Sequence, residues 1–317
     1  MNKEEIQVIQ IQTMERGRDM SDLVKGQETL ERARSFMYNS ARLLDRMRFA
    51  YHFENGSRED VIRALKPYQN KDGGFGQALE PDMRCPESQP VTTEMAISLL
   101  KEVGGLDSEL VTALLAYLEK LTLPGGGFPR ATTAVNHYGH APWWKTEADD
   151  IPALNPTGKI IGMLLDSPLR QQLCDQEWFQ SHLAFLWQTL EGSRPGDYHD
   201  GEQWLLFLAN APDSERAAGL YPVLDEWLSS PGVIERDPLA GGYVQKVLDY
   251  APSPESYAYR FVTKDEVELH LDELQKQQQA DGGWPIAWPA VSAASEQEWR
   301  GYVTVNHLLT LRAYGRL

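Results

Sequence analysis

The sequence predicts an all-α fold, about six helical hairpins arranged in a ring. Three observations predict it. A glutamine-rich helix end, an Asp-Gly-Gly turn and an aromatic residue occur twice, as Gln69-Asn70-Lys71-Asp72-Gly73-Gly74-Phe75 and as Gln279-Ala280-Asp281-Gly282-Gly283-Trp284. Weaker versions stand at Gly125-Gly126-Gly127-Phe128, Pro195-Gly196-Asp197-Tyr198 and Gly241-Gly242-Tyr243. The turn aromatics thus recur every 40 to 70 residues or so, the spacing of a hairpin array. Between the turns apolar residues recur at spacings of three and four, and no alternating run is long enough to build a sheet.

Residues 1–28 are polar and weakly periodic and read as an N-terminal arm. A helix follows over 29–53, with Leu30, Ala33, Met37, Ala41, Leu44, Met47 and Tyr51 on one face. Asn55-Gly56-Ser57 stops it and caps a second helix over 58–69, whose regular part Pro67 ends early. Pro90 opens the next helix, which Gly104-Gly105 closes, and a partner runs over 107–121. Asn155-Pro156-Thr157 reads as a cap followed by proline in the first turn. Its helix pairs with one over 170–191. Helices over 200–211, 213–229 and 264–279, a short one near 243–251 and a last one over 297–314 complete the chain. Glycines at each turn permit a tight reversal, and the aromatic plugs the gap between neighbouring hairpins. Six helices, starting near 29, 90, 156, 200, 243 and 297, form an inner ring with their partners outside. Only five partners are evident, and the arm is available as the sixth.

Composition bounds the function. A net charge of −16 disfavours nucleic acid and anionic lipid as partners. Two cysteines form no disulfide framework, and the first residues lack the apolar core of a signal peptide. No apolar run reaches the length of a transmembrane span. A cytoplasmic protein is expected.

The Gln-x-x-Asp-Gly-Gly-Phe/Trp turns resemble the repeats of the squalene/terpene cyclase and protein prenyltransferase β-subunit superfamily. The resemblance is best over 69–104 and 275–315 and poorest over 190–250. It implies a single α/α toroid over 29–317 with a small-molecule ligand, apolar or isoprenoid-like, in its central cavity. Polysaccharide lyases and glycosidases also use such toroids, so a carbohydrate-active enzyme and a non-catalytic binding toroid stand as alternatives.

In that topology the loops 76–89, 129–154 and 285–296 gather at one end, where helix N-termini favour anionic groups. The interval between Phe128 and Tyr198 holds an excess of about 20 residues, the signature of a lid or binding loop. It carries His137, Tyr138, His140, Trp143 and Trp144 as candidate ligand contacts, and Trp204, Trp288 and Tyr302 extend that set. Trp299 reads as core. Glu147, Asp149 and Asp150 share the shape of the acid motif of proton-initiated terpene cyclases, and clustered carboxylates can hold a proton above neutrality. They equally read as a solvated acidic loop. Glu94 and Asp200, with Glu202 beside the last, are further candidate acids near inner-helix starts, where capping is the competing role, and Asp82 in the first loop is another candidate. The resemblance to prenyltransferases also suggests a zinc trio of Asp82, Cys85 and His137. Its Asp–Cys spacing departs from the family pattern. Zinc or magnesium is the metal to consider, and no nucleotide cofactor is expected, since no phosphate-binding glycine loop is present.

Overall fold

The computed structural model describes residues 20–317, and the chain is mostly helical. The helices are α1 (Met20–Ser40), α2 (Leu43–Phe53), α3 (Arg58–Leu65), α4 (Pro90–Glu102), α5 (Leu110–Leu121), α6 (Leu154–Leu165), α7 (Arg170–Cys174), α8 (Glu177–Glu191), α9 (Tyr198–Asn210), α10 (Ser214–Ser229), α11 (Val247–Tyr250), α12 (Lys264–Lys276) and α13 (Ala293–Ala313). Two short strands, β1 (Phe128–Pro129) and β2 (Pro152–Ala153), pair antiparallel across the base of the long loop. The chain forms two compact units. One holds residues 20–49, Ile234–Trp288 and Gln297–Leu317; the other holds Ala50–Val233 and Pro289–Glu296.

In the second unit α4, α6 and α9 lie side by side and parallel. Contacts between α4 and α6 advance together, from Glu94–Lys159 through Ser98–Met163 to Lys101–Asp166. Gly158 and Gly162 bring α6 close to α9: a Cβ at Gly158 would lie 2.7 Å from Gln203 Cβ, and one at Gly162 2.6 Å from the Leu206 carbonyl oxygen. Asn155, the expected cap, stands in a non-helical conformation inside the first turn of α6. Gln203 Oε1 accepts the N–H of Lys159 at 2.6 Å, so the polar contact that steadies this helix start comes from α9.

Three of the five turns are built alike. The aromatic N–H donates to a buried threonine hydroxyl on the following helix: Phe75 to Thr93 at 3.0 Å, Phe128 to Thr157 at 2.9 Å and Trp284 to Thr304 at 3.2 Å. All three rings are fully buried. The glutamine of the turn ties it to a neighbouring helix. Gln69 Nε2 donates to the carbonyls of Gly73 and Leu110, and Gln278 Nε2 to those of Gly282 and Thr29. The glycine at positive φ touches the same neighbour. A Cβ on Gly73, Gly126 or Gly282 would stand 1.9, 2.1 or 1.9 Å from the carbonyl oxygen of Ala113, Ser181 or Arg32. Gly282 therefore meets α1 as Gly73 meets α5 and Gly126 meets α8.

Several sequence expectations need correction. The helix expected over 29–53 is two helices parted at Ala41–Arg42, after Asn39 and Ser40, both weak helix formers. It begins at Met20, so residues 20–28 are helical; the arm reading of residues 1–19 lies outside the described residues. Tyr198 is no plug, because Asp197 caps α9 there and Tyr198 is its first residue. Tyr243 is 55% exposed, and a Cβ on Gly241 or Gly242 would meet nothing. The helix expected near 243 is one turn, α11. Among the described residues no helix is long and apolar enough to cross a membrane.

Candidate functional site

The parallel starts of α4, α6 and α9 bring together a set of titratable side chains. Lys159 Nζ lies 3.0 Å from Glu94 Oε1 and 3.6 Å from Glu202 Oε1, and His199 Nδ1 lies 3.7 Å from Glu202 Oε2. Glu94, Lys159 and Glu202 each sit about one turn inside their helices, and the parallel packing sets them at one level. Gln203 and Gly158 fix that level, one by its bond to the Lys159 N–H and the other by permitting the close approach.

The two carboxyls are shifted in opposite directions. Burial raises the Glu94 carboxyl above the usual carboxylate value of 4.5, although Lys159 pulls the other way. Burial also works to raise Glu202, but Lys159 and His199 together outweigh it and hold Glu202 below the usual value. Two carboxyls whose proton affinities are shifted in opposite directions therefore flank one ammonium. Paired titratable groups whose surroundings separate their proton affinities can divide acid and base roles between them.

The loops carrying the other candidates share an apolar core. Met83, Cys85, Val91, Ala131, Val135, Ala141 and Trp144 pack together, with Val291 from the third loop against them. Backbone bonds join the first two loops: Arg84 N donates to the Gly139 carbonyl at 2.8 Å and Ala141 N to that of Asp82 at 2.9 Å. Within this assembly Asp82 is buried, and His137, Tyr138 and Trp143 are exposed. Tyr138 donates its hydroxyl to Glu87, and His140 Nδ1 sits 2.7 Å from the Tyr138 carbonyl. Trp144 is buried beneath the Arg130 guanidinium, 5.1 Å from its ring. Asp149 accepts from the Thr133 N–H at 2.5 Å and its hydroxyl at 3.1 Å, Glu147 pairs with Lys145 in solvent, and Asp150 is exposed. Asp200 accepts from the Gly196 N–H. Trp204 is wholly buried, so it packs the core.

The zinc trio does not fit. Among the described residues no three or more His, Cys, Asp or Glu side chains group to hold a metal ion. Cys85 donates its thiol to Glu87, and burial, with that bond, pushes it up to about 11.

The remaining aromatic candidates, Trp288 and Tyr302, belong to a row of rings in the first unit. Tyr243, Trp288, Trp299 and Tyr302 follow one another edge to face, with centroids 5.9, 5.3 and 5.6 Å apart. Arg48, 1% exposed, lies over Tyr302 at 4.5 Å and donates to Asn306 Oδ1 at 2.9 Å. Lys159, His199 and Gln203 were not singled out from the sequence. A lone lysine in the apolar run KIIGMLL, set as far into its helix as Glu94 and Glu202 are into theirs, was the available signal.

No family model matches the chain, and no curated protein matches it significantly. A solved structure of a protein from Actinoplanes is 14% identical, with a TM-score of 0.54 over 91% of this chain and 99% of that one. The likeness shows a shared fold and nothing of activity.

Proposed function

We propose that the chain is an α/α toroid whose Glu94–Lys159–Glu202 site performs general acid–base catalysis on a polar, hydroxyl-bearing substrate of the carbohydrate class. Ring closure is supported by the last turn, which grips α1 as the earlier turns grip the outer helices α5 and α8. On this reading α1 is the sixth outer helix and α2 the first inner one.

One observation carries the functional reading: two carboxyls with opposite proton affinities contact the same ammonium. Glu94 supplies the proton to a leaving oxygen, Glu202 acts as the charged partner, and Lys159 holds both in place. Contact with one ammonium is compatible with the separation of about 5–10 Å between the paired carboxyls of glycosidases. The isoprenoid substrate that the turn motif suggests is the second reading. The burial that raises the proton affinity of Glu94 favours it, since protonating an alkene needs a carboxyl that holds a proton.

Turnover of an oligosaccharide panel, read as new reducing ends or unsaturated products, tests the proposal beside an isoprenoid panel. Hydrolysis or elimination of a saccharide, lost about a hundredfold or more in Glu94→Gln, is the expected result. Turnover confined to isoprenoids selects the second reading. Turnover of neither class, or a Glu94→Gln variant as active as the parent, rejects the site.

A further inference from the structure

Lys159 limits how far apart the two carboxyls of the acid–base site can stand. Its Nζ lies 3.0 Å from Glu94 Oε1 and 3.6 Å from Glu202 Oε1. Those two oxygens can be separated by no more than the two contacts laid end to end, about 6.6 Å. That ceiling is reached only with the nitrogen on the line between them. The N–H bonds of an ammonium splay apart, which brings the oxygens they reach closer together. Glycosidases that invert the sugar keep their carboxyls about 6.5–9.5 Å apart to lodge a water, whereas those that retain its configuration need only about 5–5.5 Å. Resting on the carbohydrate reading above, we propose that Glu202 is a nucleophile and that the site hydrolyses a glycoside by double displacement, with retention at the anomeric carbon.

In the first step a Glu202 oxygen attacks the anomeric carbon and forms a glycosyl ester as the glycosidic C–O bond breaks. The leaving oxygen takes the proton of Glu94. In the second step water attacks the same carbon, Glu94 takes a proton from that water, and Glu202 departs as a carboxylate. The packing suits this division, because α4 and α9 both pack against α6 and bring the two carboxyls to Lys159 from different helices. Exposure suits it as well. A third of the Glu202 side chain is exposed against a tenth of Glu94, which opens the nucleophile and shelters the acid. Against the pull of burial, Lys159 and His199 lower the proton affinity of Glu202, as an attacking carboxylate requires. Besides burial, the charge of Glu202 raises that of Glu94. Ester formation removes this charge, so Glu94 gives up its proton in the first step and serves as base in the second.

Proton NMR during hydrolysis of the active panel saccharide tests this, because it reads the anomer released before mutarotation. Release of the anomer that the substrate carried is the expected result. A 2-deoxy-2-fluoro glycosyl fluoride of the same sugar should add one glycosyl mass to the intact chain, on the peptide that holds Glu202. Glu202→Gln should take up no label and keep only a trace of turnover. Azide distinguishes the nucleophile from the acid. With an aryl glycoside it should restore turnover in Glu202→Ala and give a glycosyl azide of inverted configuration, whereas Glu94→Ala should give the retained one. Release of the inverted anomer, an unsaturated product, or a label on another residue overturns the proposal and leaves Glu94 as the acid. Turnover of no saccharide overturns it together with the reading it rests on.

Discussion

Glu94 and Glu202 bear the same carboxyl group and touch the same ammonium; their surroundings set them apart. Burial dominates at Glu94 and raises its proton affinity, whereas Lys159 and His199 prevail at Glu202 and lower it. Activity that needs protonated Glu94 and ionised Glu202 should therefore follow a bell against pH. The alkaline limb falls as Glu94 ionises above the usual carboxylate value, and the acid limb falls as Glu202 is protonated below it. Glu202→Gln should remove the acid limb and leave the alkaline one, and a pH–rate profile reads both. His182 carries a second pH signature, in stability. It is fully buried, accepts the Gly127 N–H at Nδ1 and contacts Thr122 Oγ1 through Nε2, and burial lowers it from 6.5 to about 3. The unfolded chain takes up this proton below about pH 6.5 and the folded one does not until about pH 3. Stability from neutral His182 is thus complete above pH 6.5 and declines by up to about 1.4 kcal/mol per pH unit as pH falls through that window. Urea unfolding between pH 4 and 8 should show a shallower slope in His182→Asn than in the parent, and equal slopes would reject the assignment. Neither environment was legible in the sequence. The carboxylate cluster Glu147, Asp149 and Asp150 had the more conspicuous pattern, yet it lies in solvent, with Asp149 occupied in tying the loop to Thr133. A motif of residue types does not report desolvation, and desolvation is what separates the two sets.

The turns show how much of an element the sequence does convey. Gln69, Asp72, Gly73 and Phe75 were legible because every one acts within or beside the turn, where spacing is fixed by covalent geometry. Their threonine partners were not, because Thr93, Thr157 and Thr304 lie on the next helix at varying separations. The same logic exposed the false members of the series. A glycine pair and an aromatic at 241–243 match the phrase but lack both the threonine and the neighbouring backbone. This difference is measurable. Gly282→Ala must accommodate a Cβ 1.9 Å from the Arg32 carbonyl oxygen at a φ of +94°, which demands backbone displacement. A loss of about 3 kcal/mol or more is expected. Gly241→Ala meets no atom within 4 Å and should change stability by no more than about 0.5 kcal/mol. Chemical denaturation followed by circular dichroism distinguishes them, and comparable losses at the two sites would show that the glycines are not needed for close approach.

At the scale of the whole chain, α1 matters most, because residues distant in sequence hold it. Gln278 donates to the Thr29 carbonyl, Arg32 donates back to that of Gln279 at 2.6 Å, and Arg300 lies over the Phe36 ring at 4.7 Å. Gly283 leaves no room for a Cβ, which would stand 2.8 Å from that same ring. Near the other end of the helix, a Cβ on Gly26 would lie 2.6 Å from the Arg316 carbonyl oxygen. The periodicity of α1 was legible as an amphipathic helix, but its role was not, since nothing local distinguishes a helix that opens a row from one that completes it. The second role makes a definite prediction. If α1 completes the packing of the last turn, deleting the chain through Ser40 uncovers Trp284 and Phe75-like burial is lost at that turn alone among the three. Amide hydrogen exchange across Lys264–Trp284 should then rise by orders of magnitude, because the glutamine and glycine contacts that protect this segment have lost their partner. Binding of a hydrophobic dye should rise with it. An α1-deleted chain whose Lys264–Trp284 amides exchange as slowly as in the parent would mean that α12 and α13 secure the turn unaided, and the ring reading would lose its main support.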